Sequence, residues 1–391
     1  MDEDCGVFGA RPAAAERLGK GILAMKEKIL EVSCNGLTNG GVQHVIMNIA
    51  SSLQEDYTFD ALVFTEGPDF FDNAFRALGG EIYRIPNRKW RMKKNIDSYI
   101  RGPRIFLGTL KLLREHGPYT AIHCHNYFES AYCLMAAKAV GVPIRIAHSH
   151  NDVSVIRLSR ARIVKESLLR PLVNRYATVR LGCSRRAAAY LFGKDVPAAI
   201  VLNGIDLEPF ASGRENPGYK AGDRIRLLHV GNFSMQKNQL FLVDIMGELK
   251  KRNLGFHLTM VGGGEETYRD AVMARIRAEG LEDCIAVLPP DSDIPAQMRS
   301  ADLFLFPSLF EGLGIVLIEA QASGLHCLAA GCVPPEADLG NLEYLATLDA
   351  GLWADAVEKI IQGGQRRLFV DMEKYDIRSA AEDYRRIYQS H

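Results

Sequence analysis

Two glutamates flank a glycine-containing turn in the second half of the chain. The stretch from 306 to 320 reads FPSLFEGLGIVLIEA, so seven residues separate Glu311 from Glu319. The pattern predicts a strand, a turn and then a helix whose first amide groups have no partner within the helix. A diphosphate could bind there, while the carboxylates accept hydrogen bonds from sugar or ribose hydroxyls. Two solvated glutamates are the alternative, but their place at a strand–glycine–helix junction favours binding.

Glycine pairs follow two other predicted strands. Gly40 and Gly41 open a helical pattern after the first strand, and Gly262 and Gly263 follow a strand in the second half. Glycine lacks a Cβ, so a ligand or a second backbone can approach it closely. A plain tight turn is the alternative. The helix that begins at Gly41 favours ligand approach for the first pair, whereas the second pair alone is a weak signal.

Histidines alternate at the ends of two neighbouring predicted strands. His123 and His125 end one strand, and His148 and His150 end the next. Because side chains alternate along a strand, each pair points to one face of the sheet. A metal site, a ligand contact and core histidines satisfied by the backbone are the three interpretations. We interpret His123 as a core histidine, and the interpretation of His148 and His150 stays open.

These residues lie at the ends of strands that alternate with helices. The predicted strands are 29–33, 60–64, 81–85, 121–125, 144–148, 226–230, 257–261, 285–288 and 303–307. Such alternation is typical of parallel βαβ units, in which ligands bind at the carboxyl edge of the sheet. The prediction is an α/β protein with two Rossmann-like, doubly wound domains and a cleft between them. The predicted divisions are a disordered leader (1–24), an N-terminal domain (25–202) joined by a C-terminal helix (376–391), and a C-terminal domain (203–375).

Composition limits the class of protein. The chain has 391 residues and a formal net charge of +0, which does not favour nucleic-acid binding by the whole molecule. No apolar stretch is long enough to span a bilayer. The cysteines show neither C-x-x-C pairs nor zinc-finger spacing, so we expect reduced cysteines and a cytoplasmic location.

The chain resembles the retaining GT-B glycosyltransferases of family 4 over roughly residues 28 to 388. Five motifs carry the resemblance in order along the chain: Gly40-Gly41, His125, the linker Asn203-Gly-Ile-Asp206, Lys237, and Glu311 with Glu319. The resemblance implies the GT-B fold and transfer of a sugar from a nucleoside-diphosphate-sugar, with UDP the expected nucleotide. It also implies a glycan or lipid-linked acceptor in surface polysaccharide synthesis, and no bound metal or other cofactor.

The resemblance also implies roles for individual residues. His125, Lys237 and Glu311 are the expected catalytic residues: Glu311 and His125 contact the donor sugar, and Lys237 neutralises the diphosphate. Glu319 holds the ribose hydroxyls, and His150 and Asn151 lie near the acceptor. The expected donor-binding residues are Gly40, Gly41, Asn232, Lys237, Gly262, Gly263, Pro290, Glu311, Gly312, Leu313, Gly314, Ile315 and Glu319. The family usually has an arginine where this chain has Asn232, so one cation is missing, which Arg299 could replace.

Basic residues are concentrated in the first half of the chain. Together with interleaved apolar residues they favour contact with an anionic membrane surface at the inner face of the cell membrane. Solvated basic faces are the alternative. The two groups are Arg84, Arg88, Lys89, Arg91, Lys93 and Lys94, and Arg157, Arg160, Arg162, Lys165, Arg170, Arg175 and Arg180.

Two other functions fit the same scaffold. A GT-B sugar-nucleotide epimerase would need cleft carboxylates and histidines but no acceptor surface. A non-catalytic nucleotide-sugar-binding protein is made credible by Asn232, because the missing cation weakens stabilisation of a leaving diphosphate. Fold alone does not choose among the three.

Overall fold

The first half of the chain builds a seven-stranded parallel sheet. The computed structural model describes residues 26–85, 96–125, 127–152, 158–211, 224–363 and 372–390, so the predicted leader lies outside the described residues. The strands of this sheet are β1 (Glu27–Ser33), β2 (Tyr57–Val63), β3 (Ile82–Arg84), β4 (Ala121–Cys124), β5 (Ile144–Ser149), β6 (Val179–Gly182) and β7 (Ala199–Ile200). Their spatial order is β3-β2-β1-β4-β5-β6-β7.

Helices connect these strands and cover both faces of the sheet. They are α1 (Gly41–Leu53), α2 (Asp72–Ala77), α3 (Ile96–His116), α4 (Ser130–Ala139), α5 (Arg160–Tyr176), α6 (Arg185–Phe192) and α7 (Glu208–Ala211). One apolar core lies between the sheet and α3, α4 and α5, and a second lies on the α1 side.

The second half builds a six-stranded parallel sheet in the order β10-β9-β8-β11-β12-β13. Its strands are β8 (Ile225–Val230), β9 (Phe256–Val261), β10 (Ile285–Leu288), β11 (Leu303–Phe306), β12 (His326–Ala330) and β13 (Leu342–Leu345). Its helices are α8 (Gln239–Lys251), α9 (Glu266–Ala278), α10 (Ile294–Ser300), α11 (Ile315–Ala322) and α12 (Ala350–Gln362), and the chain ends with α13 (Ile377–Tyr388). Cores lie on both faces of this sheet too. The predicted fold class of two doubly wound, Rossmann-like sheets is therefore confirmed.

Every strand predicted from the sequence is present, but β6, β7, β12 and β13 were missed. In each sheet the two missed strands lie together at one edge: β6 and β7 in the first sheet, and β12 and β13 in the second. Two of them are short and partly exposed: β7 has two exposed residues, and β13 is half-buried throughout. Short, partly exposed strands lack the apolar run on which the prediction relied.

The chain crosses between the two sheets twice, and the two crossings pair with each other. Ile205 on the outgoing crossing forms a parallel bridge with Asp376 on the return. The Ile205 amide donates to the Tyr375 carbonyl at 2.8 Å, and the Ile377 amide donates to the Ile205 carbonyl at 3.0 Å. Asp376 then caps α13, which packs against α1 of the first sheet. The last helix therefore belongs structurally to the first sheet.

No helix among the described residues combines the length and the apolar character that a membrane span requires.

Candidate active site

The predicted site residues follow the strands at the centre of each sheet. In both sheets the strand order reverses direction between the first and the fourth strand, and a crevice opens there at the carboxyl edge. In the first sheet, Gly40 and Gly41 follow β1, and His125 follows β4. In the second sheet, Lys237 follows β8, and Glu311 follows β11. The two switch points thus carry the motifs found in the sequence.

Lys237 and Glu311 form an ion pair at the second switch point. The Lys237 Nζ lies 2.6 Å from Glu311 Oε1, and it lies 4.7 Å from the centre of the Phe306 ring. Glu311 is buried, and Lys237 is mostly buried. A lysine held in this way presents a positive charge beside a carboxylate acceptor, the combination that a sugar diphosphate requires.

Glu319 lies in α11, which begins directly after the Glu311 turn. Its carboxyl has no hydrogen bond or ion pair with any other residue that the structure describes, and it is half-buried. Burial raises its pKa from 4.5 to about 7. An unpartnered carboxyl of this kind is available to a ligand hydroxyl, which is the role that the resemblance implies.

The Glu311 turn contacts the first sheet directly. A Cβ built on Gly312 would lie 1.9 Å from the His150 carbonyl oxygen and 2.8 Å from the Asn151 Cα. The Ser184 hydroxyl also donates to the Gly312 carbonyl at 2.6 Å. Gly312 is therefore required for close approach of the two halves, and it brings the predicted donor residues beside His150 and Asn151, the predicted acceptor residues.

Two helix N-termini, α1 and α11, face each other across the junction. A Cβ on Gly41, the first residue of α1, would lie 3.9 Å from Ile315 Cδ1, the first residue of α11. The N-caps are Gly40 and Gly314, and neither has a side chain that could cap the helix. Gly314 has φ 86°, a conformation that favours glycine. The uncapped amides of both helices can therefore receive an anion placed between them.

The other predicted donor residues follow neighbouring strands of the second sheet, with the exception of Leu313, which is buried in the core. A Cβ on Gly262 would meet the Gly231 carbonyl oxygen at 2.2 Å, and one on Gly263 would lie 3.3 Å from Pro290. The Pro290 carbonyl accepts a hydrogen bond from Asn39 at 3.5 Å, which links the two halves.

The side chain of Asn232 is exposed. Arg299 donates to the Pro209 carbonyl at 3.0 Å, so it is held on α7.

His125 is buried, and both of its ring nitrogens are engaged. Its Nε2 lies 2.7 Å from Glu31 Oε2, and its Nδ1 lies 2.6 Å from His150 Nε2. Burial and the neighbouring His123 lower the His125 pKa to about 4, against the effect of Glu31. The contact of His125 with the donor sugar stays a prediction, and in this arrangement His150 lies between His125 and the Gly312 turn.

Glu31 is a buried carboxylate in the middle of β1 that the sequence analysis missed. Burial alone would raise its pKa, but His123 and His125 outweigh burial and lower the pKa to about 2. The Tyr388 hydroxyl of α13 donates to Glu31 Oε1 at 3.2 Å. The one signal in the sequence is an acidic residue inside the apolar run Ile-Leu-Glu-Val.

Three buried histidines, His123, His125 and His148, offer ring nitrogens within 4.8 Å of one another. Among the described residues, they form the cluster whose ring nitrogens could coordinate a metal ion. However, His123 Nε2 and His148 Nδ1 are 3.1 Å apart, with ring planes only 6° from parallel. A nitrogen lone pair that accepts a hydrogen bond from the facing ring is not directed at a shared ion. The arrangement therefore favours a hydrogen-bonded network, and the absence of a metal remains an expectation.

Many of the predicted basic cluster residues are already paired. Arg84 contacts Asp69 and Asp72, Arg162 contacts Glu166, and Lys165 contacts Glu129. Arg170 and Arg180 donate to backbone carbonyls. Arg160 and Arg175 are exposed on α5. The remaining members, Arg88, Lys89, Arg91, Lys93, Lys94 and Arg157, lie outside the described residues. Among the described members, the exposed ones lie on α5, and a basic patch at residues 88–94 stays a prediction.

Two family models match successive parts of the chain. The model described as "Glycosyltransferase Family 4" matches residues 39–209, and the model described as "Glycosyl transferases group 1" matches residues 224–363. The boundary between them falls at the crossing between the two sheets.

Relatives and solved structures agree with these matches. The putative glycosyltransferase EpsF of Bacillus subtilis is 29% identical over 88% of this chain and 91% of its own length. The UDP-Gal:alpha-D-GlcNAc-diphosphoundecaprenol alpha-1,3-galactosyltransferase of Escherichia coli is 25% identical over 78% of this chain and 79% of its own. The crystal structure of Anabaena HepE with UDP and glucose superposes with a TM-score of 0.74, covering 93% of this chain and 100% of that one, at 16% identity.

Proposed function

Since the chain belongs to the family 4, group 1 glycosyltransferases of GT-B fold, we propose that it transfers a sugar from a UDP-sugar to a lipid-linked acceptor with retention of configuration. Glycosyl transfer in glycan synthesis is the activity of the family. The donor, the stereochemistry and the acceptor are the parts proposed.

The Lys237–Glu311 pair is the observation that carries the proposal. Glu311 lies in the turn that leads into α11, the helix that begins without a side-chain cap and carries the unpartnered carboxyl of Glu319. Lys237 and the helix amides would stabilise the charge on the departing diphosphate. Glu311 would accept hydrogen bonds from the donor sugar, and Glu319 from the ribose. The relative named for UDP-galactose and the neighbour solved with UDP support uridine as the base.

Retention is proposed because the best-placed carboxylate is engaged with a cation. Glu311 Oε1 is paired with Lys237, so it is poorly suited to attack the sugar as a covalent nucleophile. Attack by the acceptor hydroxyl on the face that the diphosphate leaves requires no such nucleophile. Lys237 and the helix amides would support this route by holding the diphosphate in place. The anomeric configuration of the product, read by NMR before mutarotation, tests this directly.

The exposed face of α5 supports a lipid-linked acceptor and contact with an anionic membrane. Val164 and Leu168 are 58% and 68% exposed, and Ile163 beside them is 49% exposed. Arg160 and Arg175 lie at the two ends of the same helix and are exposed as well. Apolar residues one helical turn apart, flanked by arginines, are typical of helices that lie in a membrane interface.

Thermal stabilisation by a nucleotide panel tests the donor site. The panel contains UDP, GDP, UDP-glucose, UDP-galactose and GDP-mannose, used with the wild-type chain and with Glu319→Ala. At a ligand concentration 100-fold above Kd, stabilisation should reach about 2.7 kcal/mol. We expect it for the uridine compounds, with a large loss in Glu319→Ala.

Glu282→Ala, which alters an exposed glutamate, is the matched control and should behave as the wild type. Stabilisation by guanosine compounds alone would replace uridine with guanosine as the base. No stabilisation by any compound would contradict the proposed donor site.

A further inference from the structure

The turn that follows β4 lies between α5 and the junction of the two halves. It is a 3₁₀ turn, Tyr127–Glu129, that leads directly into α4. At its end Glu129 forms an ion pair with Lys165 of α5, and at its start the Tyr127 hydroxyl is hydrogen-bonded to Asn151, which follows β5. We refer to Tyr127–Glu129 as the β4 turn.

Tyr127 has a backbone conformation that is unusual for a residue with its side chain. Its φ is 50°, in the left-handed region that residues with a Cβ seldom adopt. Two other non-glycine residues of the described chain have a positive φ, and both are asparagines, Asn238 and Asn253. Asparagine tolerates this region, whereas a tyrosine there is strained, and such strain is concentrated at binding and catalytic sites. A function for this side chain is therefore expected.

Asn151 places Tyr127 beside the Gly312 turn. A Cβ built on Gly312 would lie 2.8 Å from the Asn151 Cα, and the Asn151 side chain is hydrogen-bonded to Tyr127. Gly312 in turn follows Glu311, which is paired with Lys237. Only Asn151 and the Gly312 turn therefore separate Tyr127 from the proposed donor site.

The other neighbours of Tyr127 lead to α5. Its ring meets the Tyr190 ring edge to face, with the ring centres 6.5 Å apart. The Tyr190 hydroxyl donates to Glu166 of α5 at 2.8 Å. Since α5 carries the exposed apolar face that we assign to the membrane, the β4 turn lies between the donor site and the helix from which a lipid-linked acceptor would approach.

The Tyr127 hydroxyl has a proton to donate. Asn151 Oδ1 accepts from the Asp152 amide at 3.0 Å, so Asn151 Nδ2 is the group that donates to the Tyr127 oxygen. Burial raises the pKa of Tyr127 above its ordinary value of 10, so the hydroxyl stays protonated at neutral pH. Among the described residues none accepts this proton, and the side chain is partly exposed. The proton is therefore available to a bound molecule.

We propose that the Tyr127 hydroxyl donates a hydrogen bond to an oxygen of the acceptor, which makes Tyr127 a residue that determines acceptor specificity. The proposal rests on the proposed function, because it assumes an acceptor that reaches the donor site from the side of α5. Asn151 is then a positioning residue, since its amide holds the Tyr127 oxygen. The acceptor oxygen belongs either to the sugar or to the diphosphate of the lipid-linked acceptor.

Tyr127→Phe removes the hydroxyl and keeps the ring. Initial rates are measured with UDP-glucose or UDP-galactose as the donor and a short-chain lipid diphosphate carrying N-acetylglucosamine as the acceptor. We expect KM for the acceptor to rise about tenfold, the effect of one lost hydrogen bond. KM for the donor, kcat and the midpoint of thermal unfolding should stay unchanged. An equal rise in KM for the donor would overturn the proposal.

A second acceptor without a diphosphate, octyl N-acetylglucosaminide, identifies the oxygen. If Tyr127→Phe raises KM for both acceptors alike, the oxygen is on the sugar. If the rise is confined to the lipid diphosphate, the oxygen is on the diphosphate. If KM changes for neither acceptor, the proposal is wrong.

Asn151→Ala separates direct contact with the acceptor from support of Asn151. This substitution leaves the Tyr127 hydroxyl in place, so we expect a smaller rise in KM for the acceptor than in Tyr127→Phe. An equal or larger rise would show that Asn151 makes the contact and that Tyr127 merely holds it, which contradicts the proposal.

Tyr132→Phe is the matched control. Tyr132 lies on α4, is partly buried like Tyr127, and packs against Gly102 of α3. Its substitution should leave all kinetic constants unchanged, and an equal effect of the two substitutions would indicate a general loss of packing and overturn the proposal.

Thermal stabilisation separates a failure of this proposal from a failure of the proposed function. If the UDP-sugars stabilise the chain but neither acceptor binds to it, the acceptor contact is wrong and the donor site stands. If no uridine compound stabilises the chain, both fail.

Discussion

At the scale of single residues, Lys237 is the side chain whose loss should be most damaging to catalysis. Lys237→Ala removes the cation beside the diphosphate and leaves Glu311 buried without its partner. We expect kcat to fall by about a hundredfold to a thousandfold, a typical loss when a group that stabilises developing charge is removed. Initial rates with saturating donor provide the measurement.

Lys251→Ala is the control for Lys237→Ala. It removes a largely exposed lysine whose partner, Glu248, is on the same helix. A loss of activity in both variants, or in neither, would show that the Lys237 charge has no special part in the reaction.

Glu319 should make both stability and donor binding depend on pH. Its pKa is about 7 in the folded chain against 4.5 in the unfolded chain, so the folded state holds the extra proton between these values. The contribution to stability is therefore fully present below pH 4.5 and is lost as the pH rises through 7. Donor binding should change in the opposite direction and become tighter from pH 6 to 8, because the ionised carboxyl is the better acceptor.

Glu319→Gln isolates this effect from other groups. The buried histidines act in the opposite direction, since a lowered pKa makes stability fall as the pH drops below 6.5. The difference between wild type and Glu319→Gln cancels them, in melting curves and in calorimetric titration with a UDP-sugar. A difference that does not vary from pH 5 to 8 would contradict the raised pKa.

At the scale of elements, α5 should bind the chain to anionic lipid. Leu168→Asp places a charge in the middle of its exposed apolar face. Burying a leucine is worth about 1.5–3 kcal/mol, so we expect at least tenfold weaker binding to vesicles of phosphatidylglycerol and phosphatidylcholine in a flotation assay. Pure phosphatidylcholine vesicles should bind the wild type weakly.

Leu107→Asp is a matched control for α5. Leu107 is 61% exposed on α3, in the same half of the chain, and it lies outside the α5 face. Its substitution should leave vesicle binding unchanged. An equal effect of the two substitutions would show that apolar character in general, and not the face of α5, governs binding.

The length of α3 shows how packing overrides a local signal. Helix α3 begins at Ile96 and contains Pro103, a residue type that ordinarily ends or kinks a helix. Gly102 lies so close to Tyr132 of α4 that a Cβ would meet its ring at 2.3 Å. Close packing on α4 thus compensates for the hydrogen bond that the proline removes.

At the scale of the whole molecule, α13 links the end of the described chain to the buried Glu31 in its first strand. Tyr388 donates to Glu31 and lies 2.9 Å from His123. Tyr388→Phe leaves these buried groups with one partner fewer, so we expect a loss of about 1–3 kcal/mol in the free energy of unfolding, measured by denaturant titration.

Tyr384→Phe is the matched control for Tyr388→Phe. Tyr384 is equally buried on the same helix, but its hydroxyl has no hydrogen-bond partner within the described residues. Its removal should cost little or stabilise the chain. A loss as large as that of Tyr388→Phe would mean that ring packing, and not the hydroxyl bond to Glu31, is the cause.

Local patterns in the sequence are sufficient to predict the two-sheet fold and the places where ligands can bind. Alternating strands and helices predict parallel sheets, and the carboxyl ends of parallel strands lie at one edge, so Gly41, Lys237 and Glu311 had to lie at the edges of the two sheets. These are local patterns, with all the information for each within a few residues of the motif.

The partners of the side chains at those edges follow from contacts that form in the folded chain. Glu31 and His125 are 94 positions apart, and Lys237 and Glu311 are 74 apart, so no local pattern relates either pair. Glu31 fixes the hydrogen-bonding direction of His125, and His125 fixes that of His150. Hydrogen-bond direction along these three side chains depends on contacts that exist only after the strands have paired.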